Sequence, residues 1–239
     1  MKKHGASIQR LNTVPYLTGL DPAVPATIAA RYQRKWLRRG QLVFIEGEPC
    51  QHLYTLESGR VKCYRVNADG REQIVKIFDR PGDTFCIPSA FDTGRHIVTA
   101  RTVTGTWLHL MDIETVKQHL AEANPSVLLG LLASAGNQMK SLAELAGDLA
   151  LKTATARLAK LLYERATRER VPQGQAIHLR RESLPAEELA SLIGTVRVHV
   201  SRGLNALVSA GAIRLSREVI SISDLELLKL VSLGTAERG

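Results

Sequence analysis

A chain of 239 residues, 44% of them apolar, is long enough for two modest domains with buried cores. No apolar run approaches the roughly 20 residues that span a bilayer, and no apolar stretch follows the basic start Met1, Lys2, Lys3 and His4 as a secretory signal requires; the expected compartment is the cytoplasm, with no membrane partner. The formal net charge of +9 points to a polyanionic partner, and the charge is uneven: residues 151–239 carry 14 Lys and Arg against 9 Asp and Glu, residues 1–150 carry 18 against 14.

Residues 1–30 are mixed, and Pro15, Pro22 and Pro25 limit any helix there to short pieces. From Trp36 to Met111 short β-rich runs alternate with glycine turns. The runs cover residues 41–45, 53–56, 60–66, 73–78, 96–103 and 106–111. Strands this evenly spaced, separated by turns such as Asp69-Gly70 and Pro81-Gly82, predict an antiparallel barrel or roll. Cys50, Cys63 and Cys86 fall in this region with no zinc or iron–sulfur spacing, and each reads first as a small buried hydrophobe.

The pattern turns helical from residue 124 to about residue 150. Leu128, Leu131, Ala135, Leu142, Leu145 and Leu149 recur at a spacing of three and four, with Gln138 the polar member of the series. Such a stripe packs either on its own domain or on a second copy, and its length and narrowness suit a two-helix dimer contact. Further helix is expected through residues 158–162, with a turn at 171–174.

Residues 184–213 carry the strongest signal. Pro185 suits the start of a short helix, Leu189, Ala190 and Ile193 form its apolar face, and Gly194 permits a tight turn. A second helix follows with Val200, Leu204 and Leu207 inward, which leaves Arg197, Val198, His199, Ser201, Arg202 and Asn205 on the other faces. An exposed face that is short, polar and basic suits the floor of a DNA major groove. Gly211 ends the helix, and residues 213–215 and 219–222 read as a hairpin wing with Arg214 and Arg217 near phosphates.

The motifs Gly47-Glu48-Pro49, Leu53 to Lys62, Asp69-Gly70-Arg71-Glu72, Pro81-Gly82-Asp83, Glu188-Leu189-Ala190, Leu192-Ile193-Gly194 and Val200-Ser201-Arg202 together resemble the CRP/FNR family of bacterial transcription regulators over roughly residues 25–230. The resemblance implies an α+β chain: an N-terminal double-stranded β-helix (a β-roll, cyclic-nucleotide-binding-like) over 1–122, a long dimerisation helix over 123–150, and a C-terminal winged helix-turn-helix over 151–239. It implies a homodimer on double-stranded DNA at a palindromic site whose half-sites lie about 34 Å apart, with RNA polymerase as a further partner if the protein activates. Arg197 and Arg202 match DNA-contacting arginines, whereas Val198 stands where the family places a base-reading glutamate. The operator is therefore expected to differ at that base pair.

The family's cyclic-nucleotide pocket needs a carboxylate for the ribose and an Arg-Ser pair for the phosphate. Here Ile87 replaces the carboxylate, Ile97 the serine, and His96 or Arg95 the arginine, so cyclic AMP is not the expected effector. The effector-binding residues expected from this stretch are Cys86, Ile87, Ser89, Arg95 and His96. A small organic effector, redox chemistry at Cys86 or plain packing of that thiol are the readings open here; Phe85-Cys86 with Ser89 also resembles the haem regulator CooA, which implies haem through Cys86 as an alternative cofactor, although Pro88 occupies the place of its histidine ligand. No other metal site is expected. A cupin-type metalloenzyme would need clustered histidines, and His52, His96 and His109 stand apart; no P-loop, catalytic triad or G-x-G-x-x-G occurs, so no enzyme is expected. A regulatory subunit acting on a partner protein would not need the recognition helix or the wing.

Overall fold

The computed structural model describes residues 33–92, 94–121, 125–168, 177–181 and 184–234. The short helical pieces expected before residue 30 and the turn expected at 171–174 lie outside these residues. Two compact units divide the chain, the boundary falling inside the long helix between Leu142 and Ala143, with residues 66–74 counted in the second.

The first unit is a roll of two antiparallel four-stranded sheets. One has the order β1 (Gln33–Leu37), β8 (Thr106–Asp112), β3 (His52–Ser58), β6 (Thr84–Phe85); the other has β2 (Leu42–Phe44), β7 (Thr99–Thr102), β4 (Val61–Val66), β5 (Glu72–Phe78). Alternation selects the inward face. In β7 Ala100 and Thr102 are buried between half-exposed neighbours, and β8 buries Leu108 completely. The core is aromatic at its centre, where Phe85 stacks on Tyr54 at 5.4 Å and on Phe78 at 4.9 Å. Gly59 turns β3 into β4 at φ +97°, and a Cβ there would lie 2.5 Å from the Gly105 carbonyl oxygen, so only glycine fits. Strands β1 and β6 went unread in the sequence. The first is mostly exposed and the second is two residues long, so neither shows a periodicity.

Three helices follow the strands or interrupt them: α1 (Ile87–Phe91), α2 (Ile113–Ala121) and α3 (Pro125–Leu151). The residues of the expected seam on α3 differ in burial within the single chain. Leu131 is buried, Ala135, Gln138 and Leu145 are half-buried, and the Gln138 amide donates to the Thr84 carbonyl at 3.1 Å. Leu128, Leu142 and Leu149 are 37–42% exposed. A more exposed stripe lies one residue further along, at Leu129, Leu132, Gly136, Met139, Ala143, Ala146 and Ala150. It has the same spacing of three and four, rotated about 100° around the helix.

The second unit contains α4 (Ala154–Arg168), β9 (Ile177–Arg180), α5 (Ala186–Ile193), α6 (Arg197–Ser209), β10 (Ile213–Leu215), β11 (Val219–Ile222) and α7 (Leu225–Ser232). A break at Lys152 and Thr153 separates α4 from α3, and the Thr153 hydroxyl accepts from the Ala156 N–H at 3.1 Å as a cap. Leu158, Leu162, Leu179, Leu189, Leu207, Ile213, Ile220 and Leu228 make one core from all of these elements. The wing is a three-stranded sheet, β10-β11-β9, rather than the expected hairpin alone. No helix among the described residues is long and apolar enough to cross a membrane.

Candidate functional site

In the second unit, α5 ends at Gly194, whose φ of +66° places it in the left-handed region. A Cβ there would meet only the movable ends of the Leu149 and Gln73 side chains, so it is the positive φ that favours glycine at this turn. Arg157 on α4 secures that turn by donating to the carbonyl of Ile193 at 2.6 Å and of Gly194 at 3.4 Å. The next helix, α6, starts three residues after Gly194 and buries Val200, Gly203, Leu204 and Leu207. Gly203 lets it lie close on α4, since a Cβ would stand 3.1 Å from Leu158 Cδ2.

Burial of that stripe leaves the expected residues in solvent. Arg197, Val198, His199, Ser201, Arg202 and Asn205 are all exposed. Arg197, Ser201 and Asn205 follow at intervals of four, so they share one face, with Val198 and Arg202 on the adjoining row. Two side chains of this face have local partners: the Arg197 guanidinium pairs with Glu187 at 3.0 Å, and His199 Nδ1 lies 3.0 Å from the Thr195 hydroxyl. Arg214 on β10 and Arg217 at the tip between β10 and β11 are exposed too. Arg181, not singled out in the sequence, donates to the Ser216 carbonyl at 3.0 Å and braces that tip. Nothing in its local pattern announces this, because the contact spans 35 residues.

In the first unit a cavity of about 640 Å³ lies between the roll and α3. Its walls include Phe78, Phe85, Ile97, Val98, Leu131 and Leu132, and Cys86, Ile87 and Ser89 of the expected effector residues line it. Few polar groups reach it, and two of these are engaged within the protein: Lys76 donates to the Ser141 hydroxyl at 2.7 Å and Gln138 to the Thr84 carbonyl. Arg95 and His96, expected with them, are not among the lining residues. Arg95 is exposed and donates to the Gly47 carbonyl at 2.8 Å, while His96 is buried and stacked on Phe44 at 3.7 Å.

Beside the cavity wall the structure brings together residues that the sequence keeps apart. Cys86 Sγ lies 3.5 Å from His96 Nδ1, and Cys50 is the third member of the group. The Cys50 thiol is pulled down to about 5, chiefly by a hydrogen bond from Cys86, against the upward push of burial and with help from His96. Burial pushes the Cys86 thiol up. Cys63, deep in the core, is pushed up to about 12 by burial alone, as expected of a packing residue.

The chain is similar to two known domain families. Residues 34–123 match the cyclic nucleotide-binding domain family and residues 156–231 the Crp-like helix-turn-helix domain family. The chain is 32% identical over 210 residues to the CRP-like cAMP-activated global transcriptional regulator of Mycobacterium tuberculosis, covering 88% of this chain and 92% of that one. Among solved structures, a variant of CooA from Carboxydothermus hydrogenoformans superposes with a TM-score of 0.73 at 23% identity, covering 92% of this chain and 95% of that one. The c-di-GMP-responsive regulator CLP of Xanthomonas campestris gives 0.73 at 23% identity, over 84% and 99%.

Proposed function

The chain belongs to the CRP/FNR family of bacterial transcription regulators, and from that premise we propose that it acts in the cytoplasm as a homodimer on a palindromic operator, under the control of a small molecule taken up by the β-roll. The observation that carries the DNA part is the solvent face of α6, where Arg197, Ser201, Arg202 and Asn205 stand clear of the core with Arg214 and Arg217 on the wing beside them. Arginine can pair in bidentate fashion with guanine, while serine, asparagine and the wing arginines reach phosphates and other base edges. Val198, 57% exposed, offers a methyl surface in place of a hydrogen-bond acceptor, so the base opposite it is read by apolar contact, as thymine is. The exposed stripe on α3 supports the dimer, and a dimer that activates transcription has RNA polymerase as its further partner.

An effector with a largely apolar body suits the cavity better than a cyclic nucleotide. A ribose and a cyclic phosphate need several free donors and a carboxylate, and Ile87 and Ile97 line the wall where the resemblance sets those groups. Haem held by Cys86 and His96 does not fit. Cys86 Sγ and His96 Nδ1 are 3.5 Å apart in direct contact, which leaves no room for a macrocycle between the two side chains that would hold it.

The deciding experiment selects an operator from random duplexes with the purified protein, then measures affinity by fluorescence anisotropy. An Arg197→Ala, Arg202→Ala double variant should lose roughly 100-fold in affinity for the selected site and keep its circular dichroism spectrum. Unchanged operator affinity in that variant would sink the assignment of α6 as the reading helix.

A further inference from the structure

We propose that Cys50, Cys86 and His96 form a binding site for one thiophilic divalent ion of the zinc type, built into the β-roll and meeting the effector cavity at Cys86. The site is placed by three different segments. The Cys50 N–H donates to the Gly94 carbonyl at 2.8 Å, the His96 N–H to the Glu48 carbonyl at 2.9 Å, and the Gly47 N–H to the His96 carbonyl at 2.7 Å. This short ladder sets Cys50 and His96 side by side. Cys86 arrives from the end of β6, at the residue preceding α1, with φ 72° and ψ 13°. It is the single non-glycine residue with positive φ among the described residues. A cysteine gains nothing by that conformation in packing terms, and such outliers collect at functional sites.

The geometry suits a tetrahedral ion. With zinc–sulfur and zinc–nitrogen bonds of about 2.3 and 2.05 Å, sulfur and nitrogen ligands lie about 3.6 Å apart and two sulfurs about 3.8 Å apart. The observed sulfur-to-nitrogen distance is 3.5 Å, and the donor atoms of all three residues lie within 4.8 Å of one another. Charge selects the ion's valence. All three residues are buried, at 7%, 8% and 3% exposure. Two thiolates and a neutral imidazole cancel a divalent cation, so the loaded site carries no net charge into the core. A monovalent ion would leave one negative charge there. Phe44, stacked on His96 with an interplanar angle of 8°, fixes the ring plane. Three protein donors leave the fourth tetrahedral position open.

The test uses the full-length protein, freed of metal by a chelator under reducing conditions and titrated with Co(II) and with Zn(II). One Co(II) per chain with intense thiolate-to-metal charge-transfer bands, displaced by one equivalent of Zn(II), is the expected result. Cys50→Ser, Cys86→Ser and His96→Gln should each weaken Co(II) binding at least tenfold, and Cys63→Ser, which alters the third cysteine, should leave it unchanged. Alkylation during unfolding in mild denaturant should find Cys50 and Cys86 slower to react when Zn(II) is present than when it is absent. Since ligand variants can fail to fold, the wild-type spectrum and alkylation pattern decide by themselves. Co(II) bound without charge-transfer bands, no Zn(II)-dependent protection, or a Cys50–Cys86 disulfide that forms regardless of Zn(II) overturns the site.

Discussion

Arg197 is exposed, yet its guanidinium is bonded to Glu187, so the side chain best placed to read a guanine must first exchange a partner. Both side chains are about 70% in solvent, and such pairs contribute only about 0–1 kcal/mol. The exchange is therefore cheap, but Glu187 also places a negative charge on the face that approaches phosphates. Glu187→Gln should raise operator affinity a few-fold, at most about fivefold at low salt, as measured by anisotropy. A lower affinity would mean that Glu187 positions Arg197 for the groove. The residues of this face were all legible in the sequence, since burial of Val200, Leu204 and Leu207 on a 3.6 period leaves them nowhere but solvent. The pairing with Glu187 was not, because it depends on the angle at which α5 meets α6.

A heptad read from sequence has several possible phases when leucine and alanine are frequent, and on α3 the leucine-rich phase is partly covered by its own chain. Leu132 and Met139, on the open stripe, are 66% and 71% exposed, while Leu131 is 7% exposed. Leu132→Glu should therefore shift the protein from dimer toward monomer in sedimentation velocity while leaving the melting temperature of the roll nearly unchanged. Leu131→Glu should instead destabilise the roll itself by about 3 kcal/mol or more, as a charge buried without a partner. Near the junction, Asp148 receives Lys152 at 3.0 Å and Lys160. Burial alone would raise its carboxyl, but the two ammonium groups outweigh burial and hold it below the usual aspartate range. A lowered carboxyl stabilises the fold at neutral pH, and that stability is lost as pH falls below about 3.9, the ordinary aspartate value, through the lower folded-state value. Asp148→Asn should thus lower the melting temperature at pH 7 and leave it nearly unchanged at the acid end, as followed by circular dichroism.

For the molecule as a whole, the excess of positive charge in residues 151–239 makes DNA affinity a strong function of salt. The logarithm of operator affinity should fall linearly with the logarithm of salt concentration, and Arg217→Ala should reduce the slope by about 1 if this wing residue neutralises a phosphate. The same variant should weaken all sequences alike, in contrast to Arg202→Ala. The sequence by itself determined the two-part α+β architecture, the recognition helix and the wing. Those features are written in local periodicity, in the Gly194 turn and in the charge difference between the two parts. Tertiary structure alone decided which phase of α3 is open, that Arg95 and His96 stay out of the cavity wall, and that Cys50 joins Cys86 and His96. The physical reason is common to all three. Each depends on contacts between segments tens of residues apart, and only the closing of the roll brings those segments to within a few ångströms.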